Sequence, residues 1–507
     1  MDITNEMPQF PKTYWRETNL PQFAKLETDL HVDVAIVGAG ITGITTAYLL
    51  SKAGLKVGVM EAGSILNGTT GHTTAKITAQ HGLIYDELIS HFGEEKAKLY
   101  YESNKQALDF IRNVIQEHGI DCDFSEQDAF IYSTTEEYQS KLEKEYEAYQ
   151  RLGIPGELSD SIPFNISIKN ALSMKGQAQF HPLKYLTHLV KEATANGCEF
   201  YENTTAIDVE DGDSPIISTK SGNKVTCKHL VVASHFPFYD GMGFYFARMH
   251  AERSYVIGIK TKEEFPGGMY ISADSPTRSI RSTPLDDGQL ILIGGESHKT
   301  GQGKDTLRYY EALQEFSGEV FGQSEYIYRW SAQDLVSLDK VPYIGPIKSD
   351  KKNILVATGY KKWGMTSGTV AAQLMTDLIT ARENSYVDVY TPSRFNADPS
   401  LKNLITQNLD VAAHLLKGKL EFVPKSTRDL ENDQGSVVIV NGKRAGAYKD
   451  KNGELFIVDT TCTHLGCECE WNHAEKTWDC SCHGSRFAYS GEVVEGPAKK
   501  PLKKISD

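Results

Sequence analysis

The stretch from Cys462 to Phe487, CTHLGCECEWNHAEKTWDCSCHGSRF, holds five of the chain's eight cysteines and three of its histidines. Thiolate and neutral imidazole are the ligands that proteins offer to zinc and to iron–sulfur clusters. A centre with thiolates on one side and imidazoles on the other needs a Cys-x-His loop facing a Cys-x-x-His loop. Cys462-Thr-His464 supplies the first and Cys480-Ser-Cys482-His483 the second. Zinc is the competing occupant, although these are poor zinc-finger spacings. His473, between the loops, reads as a surface turn residue.

A second chemical signature lies near the N-terminus. Gly38-Ala-Gly40-Ile-Thr-Gly43 is a G-x-G-x-x-G turn. In that pattern the first glycine permits a tight turn, the second lets backbone approach a pyrophosphate, and the third lets the helix pack close to its strand. The helix N-terminus then faces the negative charge. Glu61 ends the next strand, where a ribose hydroxyl would be held. The ligand expected there is a dinucleotide.

The elements that must position these residues follow from periodicity. Residues 31–61 run apolar strand, glycine turn, helix and second strand, a complete βαβ unit. Helical spacing predicts scaffold helices between Tyr85 and Gly119 and between Glu136 and Leu152. From Gly197 to Ser234 short strands alternate with turns at Asp211-Gly212 and Gly222-Asn223, ending in HLVVASH. A mixed strand region covers His250 to Glu296. ILVATGY then leads into a helix at Gly368 to Ala381, and an apolar-periodic helix is expected around Leu401 to Leu416. From Asp433 onward short strands dominate, with hairpin turns at Asn441-Gly442 and Asn452-Gly453.

At 507 residues the chain exceeds one core. Its net charge of -14 argues against a nucleic-acid surface or an anionic membrane face. The part from Lys425 onward is nearly neutral, with 12 basic and 13 acidic residues. The N-terminus lacks the pattern of an export signal, and no apolar run of about 18 residues suggests a membrane span. Cys122, Cys198 and Cys227 stand singly, as buried thiols do in a reducing compartment. A cytoplasmic protein is expected.

The blocks EAGSILNGTTGHT, QFHPLKYLTHLVKEATANGCEF, VVASH, VPYIG and ATGYKKWGMT resemble, in order, those of the D-amino-acid oxidase and glycine oxidase superfamily, over about residues 32–381. That resemblance implies FAD, with its ring near Gly345, Gly359 and Gly364. One departure stands out. Where glycine-oxidase-like relatives carry an arginine for the substrate carboxylate, this sequence aligns Asp334, and Lys362 occupies another position that is arginine in some relatives. An acid there repels a carboxylate and attracts a cation, so the expected substrate is an amine without a nearby carboxylate. Arg281 and Tyr343 complete the candidate substrate pocket. His72 lies near the FAD region, where a hydrogen-bonding role is expected rather than a covalent link.

CTHLGC, CSCHGS and the later Gly496-Pro-Ala498 resemble the Rieske [2Fe-2S] domain. The resemblance implies Cys462 and Cys480 on one iron, His464 and His483 on the other, and a disulfide between Cys467 and Cys482. Cys469 has no counterpart in the motif. Ser485 matches a hydroxyl that hydrogen-bonds a cluster sulfur, while the tyrosine expected two residues later is Phe487. Losing that hydroxyl implies a lower potential than in respiratory Rieske proteins.

The fold expected is therefore an α/β FAD-binding, Rossmann-like domain with an inserted α+β substrate domain, followed by a small all-β Rieske domain. The expected limits are 1–385 for the oxidoreductase, with nucleotide-binding parts at about 31–80, 180–240 and 330–385, then 386–425 for the connector and 426–507 for the Rieske domain. The function expected is FAD-dependent oxidation of a small amine, with electrons relayed through the cluster to an external acceptor. A redox carrier or sensor, and an enzyme whose cluster feeds the flavin, use the same parts. No mononuclear-iron motif of two histidines and a carboxylate supports a ring hydroxylase.

Overall fold

The computed structural model describes residues 7–8, 11–303, 305–394, 399–400, 403–409, 411 and 426–505. The first sheet grows from strand β1 (Leu30–Val37), helix α1 (Ile41–Lys52) and strand β2 (Val57–Met60). β1 lies between β2 and Lys224–Val232, parallel to both. Beyond Lys224–Val232 come Ile354–Thr358 and Tyr343–Pro346, and beyond β2 comes Glu199–Tyr201. Parallel strands covered on both faces must be apolar throughout, which is why AIV in β1 and VGVM in β2 are buried without alternation. α1 is buried almost entirely, packed against Pro182–Ala195 and Gly364–Ile379. Segments distant in sequence thus close one nucleotide-binding sheet.

The second sheet has nine strands and a mixed pattern. Its long antiparallel centre is Glu325–Ser337, Met249–Lys260, Gly288–Lys299 and Arg278–Leu285. Met269–Ser272 joins it in parallel to Ser125–Ser133. The predicted scaffold helices appear as Tyr85–His118 and Glu136–Leu152, each ended by a glycine in the left-handed conformation, Gly119 and Gly153. The late helix begins earlier than its apolar pattern suggested, at Gly364 rather than Gly368.

The C-terminal region is all β. Gln434–Val440, Lys443–Lys449 and Leu455–Val458 form a three-stranded antiparallel sheet, and Cys469–Asn472, Thr477–Cys480, Arg486–Ala488 and Val493–Glu495 a four-stranded one. Asn441 and Gly442 both take positive φ (53° and 75°), the geometry a two-residue hairpin demands. The sheets close on each other because Gly446 leaves room for Trp478: a Cβ on Gly446 would lie 2.6 Å from the indole. Of the expected connector helix, residues 403–409 are helical, while 410 and 412–425 lie outside the described residues. No helix among the described residues is long and apolar enough to cross a membrane.

The Rieske region is seated firmly on the second sheet. Arg253, fully buried, donates to Glu495 (3.1 Å), which also accepts from Arg486 (3.1 Å). Arg486 is held in turn by Asp479 (3.1 Å), so two guanidinium groups and two carboxylates balance. Gln333 donates to the Gly484 carbonyl (3.0 Å), Tyr310 to Glu475 (3.0 Å), and the Ala474 amide to Thr306 (2.9 Å). His473 is accordingly a half-buried turn residue in a turn that docks on the neighbouring domain.

Candidate active site and metal centre

A cavity of 1140 Å³ opens at the C-terminal end of β1. Gly38, Gly40 and Glu61 line it, as the fingerprint requires. Gly38 has φ +107°, and a Cβ there would sit 2.4 Å from the Ala233 carbonyl oxygen. Gly43 lies under the wall, where a Cβ would collide with the Gly38 carbonyl at 1.9 Å; this is the close helix–strand packing its position predicted. The Glu61 carboxylate accepts from the amides of Ala39 (2.9 Å) and Gly63 (3.0 Å). Burial raises its pKa, and those amides oppose the shift. A fixed carboxylate beside a bare glycine turn fits the ribose and pyrophosphate of a dinucleotide.

Opposite the turn, Thr358, Tyr360, Lys362, Trp363 and Gly364 form the wall, and the N-terminus of helix Gly364–Ile379 presents its positive end there. His72 lines the cavity, its Nδ1 held by the Gly68 carbonyl (3.0 Å). Gly359 stands one residue behind the wall with φ +80°. Gly345 does not line the cavity: it sits on the outer strand of the sheet, against Pro392.

The four residues expected to line a substrate pocket divide evenly. Asp334 and Lys362 line the cavity. Asp334 faces Glu252 across the ladder between Met249–Lys260 and Glu325–Ser337, and burial raises its pKa while Lys362 and His235 pull it down. Lys362 gives its ammonium to Glu252 (3.3 Å) and Ser297. Burial works against the Glu252 charge, but the hydrogen bond from His250 and the nearby Lys362 hold its pKa at about 2. Arg281 and Tyr343 are core residues instead. Arg281 is buried beneath Trp15, donating to the Ala75 carbonyl (2.9 Å), and Tyr343 is wedged between Arg248 and Arg394, each 4.3 Å from its ring.

Lys76 was not foreseen. It lines the cavity half-buried, its ammonium donating to the Tyr270 carbonyl (3.4 Å), and desolvation together with the neighbouring Arg281 drops its pKa to about 7. A single lysine in the run TTAKITAQ carries no periodic or motif signal.

At the metal centre the two loops meet. The sulfurs of Cys462, Cys469 and Cys480 lie within 4.8 Å of one another, and Cys467 and Cys482 form a disulfide. The rings of His464 and His483 stand edge to face, 5.0 Å apart. Both Nδ1 atoms are buried with no hydrogen-bond partner among the described residues, a costly state for a polar atom that no ligand claims. Two orphaned imidazole nitrogens opposite two thiols make a donor set that fits a Rieske cluster. Ser485 is buried beside them, its hydroxyl hydrogen-bonded to Cys462 and accepting from the Ala498 amide (3.0 Å).

Cavity and metal centre share a wall. Glu495, Gly496, Pro497, Ala498 and Lys499 line the same cavity as Gly38 and Glu61. Ala498 thus touches the cavity on one side and Ser485 on the other. A second contact closes the histidine edge: Phe246, from the short helix Tyr245–Arg248, packs edge-on against His464 (5.8 Å) and His483 (5.7 Å). Phe246 carried no sequence signal, and residues 496–498 carried one only for the cluster, since contact across domains leaves no periodicity.

These features define a flavin oxidoreductase carrying its own Rieske centre, and comparison with known proteins agrees. Residues 33–378 match the family model described as FAD dependent oxidoreductase, and residues 421–506 the Rieske [2Fe-2S] domain. The chain belongs to the FAD dependent oxidoreductase family and carries a C-terminal Rieske domain; the family binds FAD and the domain a [2Fe-2S] cluster. It is 52% identical over 496 residues to the Rieske 2Fe-2S iron-sulfur protein YhfW of Bacillus subtilis (strain 168), covering 98% of this chain and 97% of that one. It is 24% identical to the gamma-glutamylputrescine oxidoreductase of Escherichia coli (strain K12), over 70% of this chain and 85% of that protein. The fold is also that of the glycine oxidase structure from Geobacillus kaustophilus, with TM-score 0.61, 19% identity and coverage of 72% and 99%.

Proposed function

We propose that the protein oxidises a small amine at its flavin and passes the electrons, one at a time, through the Rieske cluster to an external acceptor. The observation that carries this reading is the shared wall: residues 496–498 border both the flavin cavity and, through Ser485, the cluster loops. When bound, FAD takes two electrons as a hydride and the cluster hands on single electrons.

The chain's own residues select the substrate. Asp334 and Glu252 place two carboxylates near one ammonium, Lys362, and Lys362 is engaged by Glu252. Among the described residues Asp334 has no ion-pair partner within 4.0 Å, so a substrate ammonium would supply one. Its burial-raised pKa suits it to take the proton that a substrate amine must lose before its C–N bond can give up a hydride. The names of two relatives, gamma-glutamylputrescine oxidoreductase and glycine oxidase, agree with chemistry at a C–N bond.

Anaerobic mixing of the flavoprotein with a panel of primary and secondary amines tests the reading. At least one amine lacking a carboxylate should bleach the flavin, and Asp334→Asn should lower kcat/KM for it by roughly 10- to 100-fold, the loss expected of one charge-assisted contact. Reduction by glycine or D-alanine as fast as by any such amine would overturn it.

A further inference from the structure

Two histidines and a glutamate that the flavin and cluster sites leave unused come together at the ends of helices. His118 is the last residue of the helix Tyr85–His118, while His188 and Glu192 stand one turn apart on Pro182–Ala195. All three are half-buried, and one ligand atom from each lies within 4.8 Å of the other two. The rings of His118 and His188 are 4.9 Å apart, and His188 Nε2 faces the Glu192 carboxylate at 3.8 Å. That gap is too long for a hydrogen bond, and Nε2 is buried with no hydrogen-bond partner among the described residues. Two ligand atoms on one tetrahedral zinc ion stand about 3.3 Å apart, so a small side-chain movement closes the pair on a metal.

The surroundings favour a cation. The His118 ring is steadied by the Tyr48 hydroxyl of α1, 3.2 Å from Nε2, an outer contact of the kind that orients ligating histidines. Lys52 turns its ammonium to that hydroxyl (3.4 Å) and to Glu117 (3.7 Å), and no lysine or arginine among the described residues pairs with Glu192. The helix that ends at His118 adds the negative pole of its dipole. We propose that His118, His188 and Glu192 bind one divalent ion of the zinc class, which ties the helix Tyr85–His118 to Pro182–Ala195. Two imidazoles and a carboxylate select zinc and its neighbours over calcium and magnesium, which prefer oxygen throughout. The same donors hold mononuclear iron in oxygenases, a set the sequence did not show because His118 is remote from the other two. None of the three lines the flavin cavity, so the ion is structural. Through Tyr48 it braces α1, the helix that begins beside Gly40 at the dinucleotide site.

The test uses the full-length holoprotein, washed with EDTA, with flavin and cluster oxidised. Equilibrium dialysis against Zn2+ should find one zinc per chain besides the cluster irons, and zinc should raise the temperature at which flavin is released. His188→Ala should weaken that zinc by roughly 100-fold and Glu192→Gln by at least roughly 10-fold, since even an outer partner of a ligand is worth about 10–100-fold. The thermal shift should vanish with the binding. One equivalent of Cu2+ gives a second readout, because the oxidised cofactors are EPR-silent: the parent should show nitrogen couplings from two imidazoles and His188→Ala from one. Zinc held equally by the parent and both variants, no zinc retained at micromolar concentration, or copper coupled to fewer than two imidazoles in the parent would each overturn the proposal. If His188→Ala does not fold, the zinc affinity of Glu192→Gln and the parent's copper spectrum still decide.

Discussion

Gly484 follows the ligand His483 and makes a close contact between the domains. Its φ is +79°, and a Cβ there would lie 2.3 Å from the Cβ of Ala251 on the flavoprotein's sheet. Gly484→Ala therefore meets two penalties. The left-handed backbone costs about 1–2 kcal/mol for a residue with a side chain. The clash adds about 1–3 kcal/mol, because carbon atoms settle near 3.5–4.0 Å and the loop must recede by more than about 1 Å. Gly442→Ala isolates the first penalty, since Gly442 has φ +75° and open space around it. Denaturation followed by the visible circular dichroism of the cluster should show Gly484→Ala less stable than Gly442→Ala by about 1–3 kcal/mol. Ala251→Gly should recover much of that difference in the double variant, the signature of direct contact. Equal losses for the two glycine variants, with no recovery, would refute the docked arrangement.

Glu495→Gln leaves Arg253 and Arg486 short of one charge, so the interface should weaken by about 2–4 kcal/mol and limited proteolysis that separates the Rieske region from the flavoprotein should quicken. Gly38→Ala forces a side chain against the Ala233 carbonyl and should release FAD, read as a rise in free flavin after gel filtration. Glu252 binds its proton less readily in the folded state, at about pH 2 against an ordinary 4.5, so its stabilisation is complete above pH 4.5 and is lost as pH falls towards 2. Glu252→Gln should flatten that acid limb by roughly 3 kcal/mol in urea melts at fixed pH values.

Both cofactor sites were legible in the sequence because each is local. The glycine turn, its flanking strand and Glu61 lie within one βαβ unit, and the cluster loops carry their ligands two or three residues apart. The Asn441-Gly442 turn and the helix from Glu136 to Leu152 were legible for the same reason. The substrate end was not. Arg281, Tyr343, Asp334 and Lys362 are all polar residues without a local motif of their own, and only tertiary packing decides that the first two turn into the core. Gly345 was misplaced by one strand's width. Phe246 and Lys76 act through neighbours more than a hundred residues away, which no periodicity records. The wall at residues 496–498 was quoted as part of the cluster motif, yet its second face, on the flavin cavity, follows from domain docking alone.

The central claim is that flavin and cluster exchange electrons within one chain. Laser-flash reduction of the bound flavin in anaerobic protein, followed at the cluster's visible absorption and by freeze-quench EPR, measures that step. The shared wall predicts that the cluster is reduced at a rate independent of protein concentration, with a rhombic Rieske-type signal appearing as flavin absorption returns. A rate proportional to protein concentration, or a cluster that stays oxidised while the flavin is reduced, would contradict the account.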